Sequence, residues 1–265
     1  MDAGVRGAPV GEAPLDSAFL EEEAGRVLEG AAAGSVMLRL FGGLASRRHS
    51  PGFSHLQDRW GRVFADLDFA GYGRDGEGVR RLLASLGYRE DPDVYMASGG
   101  SRIVADHPSA PLHVDVFFDR LDFCHTIPLE DRLERDSPTV PLAEMVLSKM
   151  QIVEINEKDL TDTIVLLLEH PLGSSDTETI NAAHVAGLCG NDWGLWRTVT
   201  MNLDKVAQLA AASDLSPAER ARIDEQVGEA RQRLHDEPKT LRWKLRARVG
   251  DRVKWYQDVE ELDPS

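Results

Sequence analysis

The hydrophobic period of this chain changes at Pro141, and no other feature restricts the fold as much. Before about residue 125, apolar residues come in short runs separated by Gly, Pro and Asp; after Pro141 they recur at three and four almost without relief. Short β-rich runs suit the strands of a sheet, and the three-four recurrence suits helices with one buried face. The expected order is therefore a mixed α/β unit over residues 16–140, then an all-helical unit over residues 141–265. Residues 1–15, rich in Gly, Ala and Pro and without period, are expected to be a mobile tail. A length of 265 residues is enough for one large or two modest domains that bury a core without covalent staples.

Within the first unit, LDSAFLEEEAGRVLEGAAAG reads as a helix, with Asp16 or Ser17 as N-cap, acids in the first turns and Gly34 as the stop. VMLRLFGG reads as a strand running into a tight turn at Gly42 and Gly43. ADLDFAG, VYMA, SRIVAD and LHVDVFF read as strands, and GEGVRRLLASLGY as a helix ending near Gly87. The stretch SRRHSPGFSHLQDRW, within residues 44–60, reads as a mobile loop. The second unit predicts helices in PLAEMVLSKMQIVEIN, KDLTDTIVLLLEH, SDTETINAAHVAGLCG, WGLWRTVTMNLDKVAQLAAA and SPAERARIDEQVGEARQRLHDE.

Charge and cysteine content narrow the function. Lys and Arg number 30 against 45 Asp and Glu, a formal charge of -15, which argues against general coating of nucleic acid, since that draws on surplus cations. One local exception is KTLRWKLRARVGDRVK over residues 239–254, where Lys239, Arg242, Lys244, Arg246, Arg248, Arg252 and Lys254 face the single acid Asp251. It reads either as a basic helix face folded against an acidic body or as a contact for RNA, with Trp243 and Trp255 able to stack on bases. Cys124 and Cys189 lack the spacing of a zinc or redox motif and are expected to be reduced thiols of a cytoplasmic protein. The N-terminus lacks a secretory apolar region, and the run Ile164–Leu168 is too short to span a bilayer, so no membrane association is expected.

Three acids stand out in the β-rich half. Asp66 and Asp68 flank Leu67, and residues two apart on a strand project from one face. Asp115 alternates with Val114, Val116 and Phe117, where a carboxylate turned inward is costly unless paired or metal-bound. On neighbouring strands the three would make a hard-oxygen site for magnesium; each alone is equally a solvated strand residue. Gly42 and Gly43 follow a buried strand, and a side-chain-free turn lets backbone N–H groups approach a polyphosphate.

This order of strand, Gly-Gly, helix, Asp-x-Asp strand and later Asp strand resembles the nucleotidyltransferase superfamily that includes DNA polymerase beta. It is most similar to the AbiEii/AbiGii-type nucleotidyltransferase toxins. The resemblance covers about residues 36–170. It implies an α/β (α+β) nucleotidyltransferase domain with a mixed sheet, followed by an all-helical C-terminal domain. It further implies that Gly42 and Gly43 hold nucleotide phosphates, that Asp66, Asp68 and Asp115 are catalytic and bind Mg2+ (two ions, with Mn2+ as a substitute), and that Arg62 and Lys149 bind the nucleotide. Lys149 alone also reads as a lysine snorkelling from a helix edge. Lys158, Asp159 and Asp162 match the family's downstream Lys-Asp segment. Gly43 replaces the Ser of many relatives, Phe64 stands where Ser or Thr is usual, and the 22 residues between Gly43 and Asp66 form a longer insertion than is typical.

The activity so implied is transfer of a nucleoside monophosphate from a nucleoside triphosphate such as ATP to a hydroxyl acceptor, with release of pyrophosphate. RNA, a tRNA end, a protein hydroxyl and a small molecule such as an aminoglycoside all remain open as acceptors. The alternative is a non-catalytic nucleotide-binding protein, or a toxin–antitoxin-type interaction partner, on the same fold. His113, His125 and His170 read as structural, with His113, beside Asp115, the one best placed to assist. Trp193 and Trp196 read as helix-start and core residues.

Overall fold

The computed structural model describes residues 15–258, so the expected tail over residues 1–15 falls almost wholly outside the described residues. Helix α1 (Ser17–Ala33) starts where Asp16 accepts a hydrogen bond from the Ala18 N–H and stops at Gly34. Strand β1 (Leu38–Phe41) leads directly into α2 (Gly42–His49), and α3 (Ser54–Arg59) precedes β2 (Asp66–Gly71). Next come α4 (Gly76–Ser85), β3 (Arg89–Glu90), α5 (Pro92–Ala97), β4 (Arg102–Asp106) and β5 (His113–Phe118). The five strands form one mixed sheet in the order β1-β2-β5-β4-β3, in which β2 and β5 are parallel and the other neighbours antiparallel.

Side-chain alternation sorts this sheet into two unlike faces. One carries Leu38, Leu40, Leu67, Phe69, Ile103, Ala105, Val114 and Val116, all buried. A fully buried side chain of this kind contributes roughly 1.5–3 kcal/mol. A one-residue slip of β2 or β5 would trade those contacts for buried carboxylates, so the apolar pattern fixes which way Asp66, Asp68 and Asp115 point.

Beyond a small hairpin of β6 (Arg120–Asp122) and β7 (Thr126–Pro128), the chain becomes helical. The buried α6 (Leu142–Met150) and α7 (Glu157–Glu169) are followed by a short parallel pair, β8 (Leu172–Gly173) and β9 (Ile180–Asn181). Helices α8 (Ala182–Asn191), α9 (Trp193–Ala212), α10 (Pro217–Asp236) and α11 (Leu241–Val249) complete the described residues. One hydrophobic core runs from α1 through the sheet into α6, α7, α9 and α10. No helix of the described residues is long and apolar enough to cross a membrane.

Three local expectations are corrected. VYMA is not a strand but most of α5, because Asp91 caps the Asp93 N–H and Pro92 occupies the first turn, a start signal that outweighs the β-preference of Val94 and Tyr95. Residues 44–60 are not a loop: they hold most of α2 and all of α3, and both helices pack on α7. The helix expected from Ser175 begins only at Ala182, where Asn181 accepts from the His184 N–H.

Candidate active site

Register brings the three acids together. Asp68 lies opposite Asp115 across the parallel β2–β5 seam, and Asp66 lies opposite His113. Directly opposed residues are about 4.8 Å apart along the hydrogen-bonding direction, so the carboxylates share one face and one neighbourhood. Asp66 is exposed, and Asp68 and Asp115 are half-buried. Burial, with the Asp66 and Asp115 charges added to it, raises the Asp68 carboxyl well above its ordinary value.

Asp115 meets the requirement for a partner, but with a residue that the sequence reading passed over. Arg102 Nε donates to both Asp115 oxygens at 2.8 and 3.1 Å, and Nη2 adds a further bond to Oδ2. The guanidinium also lies 4.9 Å over the Phe117 ring. In SRIVAD, Arg102 shares the outward period with Val104 and Asp106; that signal says it leaves the core, not that it meets Asp115.

The glycine pair opens α2 rather than forming a separate turn. Gly42 has φ +77°, and a Cβ there would come 2.1 Å from Asp68 Oδ2, so only glycine lets this carboxylate lie against the helix start. No side chain caps α2, whose first N–H groups carry the positive end of the helix dipole. A Cβ on Gly43 would meet Arg62 Nη2 at 2.2 Å and the Phe64 ring at 3.1 Å, and the Arg62 guanidinium lies 4.7 Å over that ring. An arginine stacked on a phenylalanine thus fills the room that a side chain at position 43 would need.

Behind Arg62 lies a buried ionic network. Asp162 on α7 is fully buried. It accepts from Gln57 Nε2 at 2.8 Å, from Arg62 Nε at 3.2 Å and from Arg62 Nη2 at 3.1 Å. Lys149 on α6 reaches Asp159 at 2.7 Å and Asp162 at 3.2 Å. Asp159 and Asp162, three apart, share a helix face. Burial works against the Lys149 charge, but the Asp159 and Asp162 carboxylates outweigh it and hold the ammonium above its ordinary value. Lys149 is therefore a buried, paired cation and not a snorkelling one.

Among the described residues, no group of three or more His, Cys, Asp or Glu side chains is gathered as a metal-ligand set. Three carboxylates occupy neighbouring positions on one face, and the cation on Asp115 is the Arg102 guanidinium. If a divalent cation were to bind, Asp66, Asp68 and Asp115 are the carboxylates placed to hold it.

Of the other candidates, His113 sits on the acidic face opposite Asp66, whereas His125 and His170 lie elsewhere. His113 Nδ1 is 2.6 Å from Asp106 Oδ1, His125 Nε2 shares a hydrogen bond with Thr198, and His170 Nε2 donates to the His49 carbonyl. Trp196 packs edge-on against Trp243, and Trp193 against Trp255. In the basic stretch, Arg246 lies over Trp193 and donates to the Gly250 and Val253 carbonyls, whereas Arg242, Lys244, Arg248 and Arg252 are exposed. No protein-family model and no curated protein matches this sequence.

Proposed function

We propose that this chain is a magnesium-dependent nucleotidyltransferase that moves a nucleoside monophosphate from a nucleoside triphosphate to a hydroxyl acceptor and releases pyrophosphate. The observation that carries the reading is the meeting of three carboxylates from β2 and β5 with a positive-φ glycine at the uncapped start of α2. Helix starts of this kind bind phosphate through free N–H groups and the helix dipole. Phosphates would lie on Gly42 and Gly43, with Arg62 supplying the donors that a serine hydroxyl would otherwise give. Lys149, deeper, offsets the Asp159 and Asp162 carboxylates behind Arg62. Magnesium held by Asp66 and Asp68 would neutralise phosphate charge and polarise the phosphorus under attack. In the transfer, the acceptor oxygen bonds to the α-phosphorus and the bond to the bridging oxygen breaks. Pyrophosphate leaves with that electron pair, and Asp115 takes the acceptor proton.

Label transfer from an α-labelled nucleotide tests the reading across RNA, protein and small-molecule acceptors. Asp66→Ala plus Asp68→Ala should abolish it; undiminished transfer by that variant overturns the mechanism. A second reading, a non-catalytic nucleotide-binding or interaction protein, is favoured by one observation: Arg62, Lys149 and Arg102 are all already paired with carboxylates. Nucleotide-induced thermal stabilisation with no turnover on any acceptor supports it.

A further inference from the structure

We propose that Arg102 is a built-in counter-ion of the acidic face, occupying Asp115 in the ion-free chain and giving way when a divalent cation binds. The inference rests on the nucleotidyltransferase reading and extends it to a positioning residue outside the implied motifs. Arg102 lies on β4, whose register sets Val104 opposite Asp115 and Arg102 opposite Phe117. The side chain therefore runs diagonally along the sheet face, over the Phe117 ring, to reach both oxygens of Asp115. A diagonal neighbour on an antiparallel pair is within reach of a long side chain, and arginine's planar fork matches a carboxylate through two bonds.

Two features separate this pair from an ordinary structural bridge. The Asp115 oxygens that Arg102 covers belong to the carboxylate opposite Asp68, so the guanidinium neutralises the side of the face that a metal ion would have to share. The Arg102 side chain is also 27% exposed, which leaves it a path into solvent without unpacking the apolar face behind. The Arg102 guanidinium offsets charge on the carboxylate that a divalent ion would share. Removing the guanidinium raises the attraction for such an ion. With a unit charge taken from within about 6 Å of a doubly charged ion, the gain is at least about tenfold in affinity, even with partial solvent screening. Once displaced, Arg102 remains at the edge of the same face, available to the phosphates of a nucleotide.

The test is Mn2+ binding to the full chain without nucleotide, read from the electron paramagnetic resonance of free Mn2+. Wild type is compared with Arg102→Met, Arg102→Lys and the Asp66→Asn plus Asp68→Asn double variant. Arg102→Met should bind at least about tenfold more tightly, Arg102→Lys close to wild type, and the double variant should bind none. If Arg102→Met binds as wild type does or more weakly, while the double variant still loses the ion, the counter-ion role falls and the metal reading stands. If neither wild type nor Arg102→Met binds, both fall. A second measurement needs no stable variant: the Arg102 Nε–H resonance of wild type should shift as Mg2+ saturates the site, and a signal unmoved at saturation overturns the proposal.

Discussion

Asp68 holds its proton more tightly in the folded chain than outside it, because burial and the Asp66 and Asp115 charges disfavour its carboxylate. Between its ordinary value of 3.8 and that raised value, the folded state binds more protons than the unfolded one, so ion-free stability falls as pH rises through this interval. Asp68→Asn cannot ionise and lacks that fall. In the presence of a chelator, the variant should therefore gain on wild type as pH rises above 3.8. Excess Mg2+ at the upper end should reverse the ranking, since a cation replaces the proton. Urea melts at several pH values measure this, and parallel curves would show that Asp68 ionises without penalty. The shared face of Asp66 and Asp68 was legible in the sequence from strand period alone, whereas the place of Asp115 beside them was expected only through the resemblance. Arg102 was not, because its meeting with Asp115 depends on the β4–β5 register, which sits in no local pattern.

One buried acid on α7, Asp162, ties the α3 segment and α6 to that helix through three partners. Asp162 accepts from Gln57 on α3 and from Arg62 just after it, and pairs with Lys149 on α6. Removing one side of a buried ion pair leaves an uncompensated charge, at a cost of about 3–5 kcal/mol. Here Asp162→Ala would leave Arg62 without its carboxylate and close to Lys149, which keeps Asp159. Denaturant melts should show a loss in that range, and replacing Lys149 by Met in the same protein should restore part of it, because the repulsion between Lys149 and the unpaired Arg62 is then gone. A loss below about 1 kcal/mol would mean that the network behaves as a surface bridge. This element-level structure explains the misreading of residues 44–60. Arg, His, Pro and Gly give the segment a loop-like composition, but Leu44, Ala45, Leu56 and Gln57 are buried there, and packing on α7 overrides weak local preference. In the VYMA segment the error ran the other way, from trusting β-branched and aromatic residues over the Asp-Pro start signal.

For the molecule as a whole, the relevant contrast is a body of net charge -15 that presents one basic helix. On α11 and the turn after it, Leu241, Leu245, Val249 and Val253 are exposed, as are Arg242, Lys244, Arg248 and Arg252. Arg246 is committed to Trp193 and to backbone carbonyls, so it stabilises the helix end instead of offering its charge outward. An RNA acceptor bound here would approach against the repulsion of the rest of the chain and be held by few contacts. Binding should then fall steeply with salt, by about 0.7 in the log–log slope for each phosphate neutralised on a single strand. Arg242→Glu, Lys244→Glu and Arg248→Glu together should weaken single-stranded RNA binding and shallow that slope by about 2, leaving transfer to a small hydroxyl acceptor unchanged because none of the three lies near Asp66 or Gly42. Fluorescence anisotropy across a salt series reads both quantities. A slope identical in wild type and variant would exclude this helix as the RNA contact and turn attention to acceptors that an acidic surface does not repel, a protein hydroxyl or a cationic small molecule.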